Sequence, residues 1–126
     1  MAYASAYKYL STGLNATLIR EGVSVGNTAS YPRVQVHDIT EQPPVDKGGS
    51  VRIVTAVIES ISEVSPEEAE QMNSDNLALC ATLPDSEAFH LVGLVPAQMT
   101  ENTEESDTAP VLHHVLQTID FYIQQL

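Results

Sequence analysis

At 126 residues, 43% hydrophobic and 17% charged, the chain has the size and composition of one globular domain, not of a disordered or multidomain protein. Its formal charge of −12 is unevenly placed: Lys8, Arg20, Arg33, Lys47 and Arg52 all lie in the first 52 residues, and residues 53–126 carry thirteen carboxylates with no Lys or Arg. Such a surface does not neutralise phosphates, which excludes tight nucleic-acid binding, and no apolar run of about 18 residues is present to span a membrane as a helix.

Taken in chain order, Tyr3, Tyr7, Leu10, Leu14 and Leu18 recur at helical spacing and predict a helix over residues 2–20, weakened in its middle by Ser11-Thr12-Gly13. Residues 22–30, rich in Gly, Asn, Ser and Thr, read as a loop. Arg33-Val34-Gln35-Val36-His37 alternates as a half-buried strand does, and Pro43-Pro44 ends it before the turn chemistry of Asp46-Lys47-Gly48-Gly49. Val51–Ile58 is β-branched and apolar on both faces, as a central strand would be, and completes a hairpin.

Ser65-Pro66-Glu67-Glu68 is the sharpest local signal. Ser65 suits an N-cap, Pro66 the first helical position, and Glu68 the return arm of a capping box. The helix is expected to run to about Leu83, with Ala69, Met72, Leu79, Cys80 and Leu83 inward, until Pro84-Asp85 stops it. Phe89–Met99 reads as a strand whose Gly93 and Pro96 imply a bulge or an edge position. Thr100–Pro110 reads as a polar, acidic loop carrying Glu101, Glu104, Glu105 and Asp107. Within Val111–Leu126, a helical stripe (Leu112, Leu116, Ile119, Ile123, Leu126) competes with a strand, and the weight of Val, Ile, Thr, Phe and Tyr favours the strand. The expected fold is therefore α+β, in the order α-β-β-α-β-β: a single domain with a four-stranded, largely antiparallel sheet of two hairpins and helices over one face.

The chemistry-bearing residues form no recognisable catalytic set. His113 and His114 are strand neighbours that point to opposite faces, so they do not readily chelate one ion, and His37 and His90 are isolated in sequence. Glu67-Glu68 is explained by the positive end of a helix, and Glu101–Asp107 lacks the Gly-centred spacing of a calcium loop. Nucleophile elbow, P-loop and dinucleotide fingerprint are all missing, so no cofactor, metal or enzymatic activity is expected. The lone Cys80 fits a reducing cytoplasm. The opening MAYASAYKYL lacks the apolar run of a signal peptide, so the sequon Asn15-Ala16-Thr17 carries no weight. The last strand is apolar on both faces, with Val111, Val115, Ile119 and Phe121 on one and Leu112, Leu116 and Tyr122 on the other. One set can face the core; the other needs a second helix or a neighbouring subunit, which makes Leu112, Leu116 and Tyr122 candidate subunit contacts.

In this order the segments resemble the tail terminator (tail completion) proteins of long-tailed bacteriophages. The resemblance runs over nearly the whole chain. It is carried by Tyr31-Pro32-Arg33-Val34-Gln35-Val36, by Arg52–Ser60 followed by Glu67–Met72, by Phe89–Thr100 with its polar loop, and by the closing His113–Ile123. Ser60 and Ile61 stand where the family's second strand often carries an aromatic, and the closing strand has no Arg where the family's is commonly rich in it. The resemblance implies a virion protein made in the host cytoplasm, a ring (commonly a hexamer) that caps the tail tube and meets the head–tail connector or neck protein. Its partners would be itself, the tube protein and the connector, with DNA passing through the ring unbound. Glu101, Glu104, Glu105 and Asp107 are then candidates to face the channel or an adjoining ring. A head-closure protein of the same particle, an acidic DNA-mimicking binding module, and a small enzyme with its site between subunits are the alternatives.

Overall fold

The structure is a computed structural model and describes residues 5–26, 30–43, 50–105, 107 and 109–126. Its elements run α1 (Ala6–Arg20), β1 (Arg33–Glu41), β2 (Val51–Ser62), α2 (Pro66–Cys80), β3 (Phe89–Glu104) and β4 (Leu112–Gln125). The four strands form one antiparallel sheet in the order β1-β2-β4-β3, so the α+β arrangement of two hairpins is the observed one, and the hairpins join through β2 and β4. The β-branched run of β2 is central, as its two apolar faces require.

Side-chain alternation divides the sheet cleanly. Val34 on β1, Val54, Ala56 and Ile58 on β2, and Ile119, Phe121 and Ile123 on β4 are buried in one cluster with Ala6, Tyr9, Leu10, Leu14 and Leu18 of α1. Both helices pack on this face; each large apolar side chain so buried contributes roughly 1.5–3 kcal/mol. Tyr9 stacks on Phe89 with ring centroids 5.7 Å apart, and its hydroxyl donates to the Pro84 carbonyl at 2.9 Å. The expected stripe is thus rotated: Tyr9 points inward and Tyr7 is exposed, while Tyr3 lies outside the described residues. Gly13 has a packing reason, because a Cβ there would stand 2.6 Å from Leu83 Cδ1.

Further expectations are corrected. α2 ends at Cys80, and its inner face is Ala69, Asn73, Asn76 and Cys80, with Met72 and Leu79 half-buried at its margins. The sheet surface beneath it is polar: Asn73 Nδ2 donates to Gln117 Oε1 at 3.2 Å, and Asn76 Nδ2 to Ser60 Oγ at 3.1 Å. Ser65 caps α2 by accepting from the Glu68 N–H at 3.1 Å, but the Glu68 carboxylate accepts from Ser62 Oγ at 2.6 Å instead of closing the capping box. Finally, β3 does not stop at Met99. It pairs with β4 out to Glu104–Leu112, which places Glu101 and Glu104 on a strand and not in a loop. Val111, expected on the inner face, precedes β4 and is exposed.

Candidate functional site on the open sheet face

The sheet's second face is formed by Arg33, Gln35 and His37 of β1, Ile53, Thr55, Val57 and Glu59 of β2, alternate residues from Leu112 to Tyr122 of β4, and Val95, Thr100 and Glu104 of β3. Neither helix lies on it. Most of its residues on β2 and β4 are half-buried, and Ile61, which pairs with Arg33 and His114 on this face, is buried. Leu112, Leu116 and Tyr122 do share this face, whereas Val115, Ile119 and Phe121 face the core.

At the centre of the polar part stands Glu59. His37 Nε2 lies 2.7 Å from one carboxylate oxygen and His114 Nδ1 lies 2.6 Å from the other. A carboxylate only accepts, so each ring donates to it. The far nitrogens also meet carboxylates, His37 Nδ1 at 3.0 Å from Asp38 and His114 Nε2 at 3.2 Å from Glu104. Asp38 reaches its place because the bulge between His37 and Thr40 holds it at φ 52°, a left-handed conformation that Asp tolerates better than most residues. Nearer the other end, Thr55 Oγ1 donates to Asp120 at 2.7 Å and receives Gln42 Nε2 at 2.9 Å. These histidines are isolated along the chain, because residues 22 and 55 positions apart meet only through the strand order.

The four acidic candidates do not gather in one place. Glu104 projects to the open face beside His114, Glu101 stands on the helix side, and Glu105 and Asp107 follow β3, exposed. Glu101 lies against Glu70 of α2, and the hydrogen bond and like charge between them raise the Glu70 carboxyl above its ordinary 4.5.

Elsewhere the chemistry is quiet. A cleft of about 380 Å³ between α2 and the segments 22–24 and 31–34 includes Met72, Leu79, Asp75 and Asn76, but Asp75 is engaged by Gln71 and Asn76 by Ser60. Burial pushes the Cys80 thiol up to about 12, which makes it a poor nucleophile. Among the described residues, no group of three or more His, Cys, Asp or Glu side chains is placed to hold a metal ion. No described helix is long and apolar enough to cross a membrane.

No family model matches the chain, and no curated protein matches it in sequence. Solved structures do match. A chain from the virion of a native gene transfer agent particle superposes with a TM-score of 0.59 at 17% identity, covering 98% of this chain and 99% of that one. At this identity the likeness establishes a shared fold over nearly the full length of both chains.

Proposed function

We propose that this chain is a structural protein of a phage-like virion, and within that class a tail terminator: a ring subunit that caps the tail tube and joins it to the head connector. The carrying observation is the end-to-end fold match to a virion chain, with almost no overhang on either side. The residue pattern resembling tail terminators supports the same reading. The charge distribution fits it independently. A pore through which DNA slides should not grip phosphates, and a carboxyl half without Lys or Arg does not.

The physical logic of termination is that one ring face matches the tube while the other cannot accept another tube ring. Removing the gene from its particle should therefore give overlong tubes without attached heads; normal tails without it would overturn the terminator role. The acidic residues are tested separately. Lysine at Glu101, Glu104, Glu105 and Asp107 should impair assembly or DNA passage, and fully infectious or transducing particles from that variant would remove these residues from the lumen. Tubes of normal length whose heads fail to join would instead favour the head-closure role.

A further inference from the structure

The ring reading leaves open how copies meet. Resting on that reading, we infer that the open sheet face of one copy is covered by the outer face of α1 from the next copy. Each sheet would then carry its own helices on one side and a neighbour's helix on the other.

Strand addition at the sheet's edges is disfavoured. The outer edge of β1 is occupied at Val34, whose N–H donates to Ser24 and whose carbonyl receives Gly26. The edge strand β3 contains Pro96, two bulges and the charges of Glu101 and Glu104. What stays available is the face. Four strands about 4.8 Å apart, over stretches of about nine residues, give it roughly 550 Å² per copy. A helix of 15 residues is about 22 Å long and about 10 Å across, so α1 covers roughly 220 Å² of that face, and charge complementarity has to add to the apolar contact.

Charge chooses the occupant. Copies of a chain with net charge −12 repel unless cations meet carboxylates. The outer face of α2 offers Glu67, Glu70 and Asp75 and no cation. The outer face of α1 is its opposite: exposed Lys8 and Arg20, with Tyr7 and Ile19 also exposed at 37% and 59%, and no carboxylate from Ser5 to Arg20. Arg20 is held by Glu21 only at 3.8 Å with both side chains largely in solvent, a weak competitor. On the receiving face lie the apolar Ile53, Val57, Leu116 and Tyr122 beside Glu59, Glu104 and Asp120. Glu59 and Glu104 are shared with His37 and His114, Arg33 stacks over Tyr31, and among the described residues no cation pairs with Asp120. A helix face on a sheet face is a heterologous contact, the kind that closes into rings and does not stop at pairs.

The experiment joins Ala16 on the outer face of α1 to Thr118 on the open sheet face. These lie on opposite sides of the sheet within one copy, so a short bifunctional maleimide can link them only between copies. Cys80, the native cysteine, is buried. The variant A16C/T118C should give a covalent ladder ending at the ring size that native mass spectrometry finds for the wild type. An equal mixture of the two single variants should give linked dimers and nothing larger, and neither single variant should link to itself. Lys8→Glu with Arg20→Glu should weaken self-association tenfold or more, on the order expected for lost charge pairing, and flatten its salt dependence. A wild type that forms rings while T118C links to itself, or while the double variant stays unlinked, overturns this interface and leaves the ring reading standing. A wild type that stays monomeric at the highest attainable concentration overturns both.

Discussion

Glu59 on β2 and His114 on β4 meet at 2.6 Å across neighbouring strands, with Glu59 15% and His114 12% exposed in their side chains. The other carboxylate oxygen of Glu59 is taken by His37, so one side chain ties β1, β2 and β4 together on a face that carries no helix of its own. Glu59→Ala removes the shared acceptor and leaves two partly buried ring N–H groups unpaired, a cost of about 1–3 kcal/mol. Glu59→Gln keeps an acceptor for one ring but turns an amide N–H toward the N–H of the other, so it should recover only part of that cost. Urea denaturation of both variants at neutral pH checks the order; equal losses would show that charge, not hydrogen bonding, holds the three strands.

Asn76 and Ser60 carry a second test, on the opposite side of β2. Both are buried, and the amide donates to the hydroxyl at 3.1 Å. Asn76→Ala leaves the buried Ser60 hydroxyl without this partner and should destabilise by about 1–3 kcal/mol. Replacing both partners, with Asn76→Leu and Ser60→Ala, removes the polar pair altogether and should recover most of that loss. Chemical denaturation of the single and double variants measures the coupling; simple additivity would mean that the bond contributes nothing beyond packing.

How these two pairs arise shows where the sequence was readable. Ser65-Pro66 marks the start of α2 to the residue because capping is chemistry between neighbours, and the two apolar faces of β2 place it centrally because burial follows composition. The inner face of α2 is not readable in this way. Periodicity assigns Met72 and Leu79 inward, yet Asn73 and Asn76 take the buried positions because Gln117 and Ser60 await them on distant strands. Glu101 to Glu104 has the composition of a loop and becomes strand because β4 supplies a ladder to pair with. The Glu59 cluster is hidden for the same reason: its members meet only once the order β1-β2-β4 is known. What pairs distant residues cannot be seen in a local window, and the open face is made of such pairs.

Cys80 gives a prediction with a definite sign. Its thiol is buried at the end of α2 and pushed up to about 12 from an ordinary 9.0. Because the folded protein holds the proton more tightly than the unfolded chain, stability is undiminished below pH 9 and falls as pH rises between about 9 and 12. Cys80→Ala should flatten that alkaline decline while costing some packing at neutral pH. At pH 8 the native thiol should resist alkylation at a rate set by unfolding, so alkylation should quicken in step with added urea. Rapid labelling of the folded protein would mean that α2 opens locally.

Glu70 and Glu101 form a relationship in which the isolated chain works against itself. Each carboxylate could turn into water, yet α2 and β3 hold them close enough to hydrogen-bond, and the Glu70 carboxyl is raised by that bond and by the charge of Glu101, with burial and Glu67 adding less. A raised carboxyl titrates in favour of the folded state at low pH: stability should grow as pH falls from neutral through the Glu70 titration, and be lost again on return. Glu101→Gln should remove this pH response and raise the melting temperature at neutral pH, most visibly at low salt, since the pair is exposed to solvent and screened by ions. Glu101→Lys should raise it further by converting repulsion into attraction with Glu70. Thermal melts at pH 4.5 and 7.5, in low and high salt, give the comparison. A Glu101→Gln variant that melts lower than the wild type at neutral pH would mean that the two carboxylates share a proton strongly enough to hold α2 against β3, the reverse of the sign that like-charge repulsion requires.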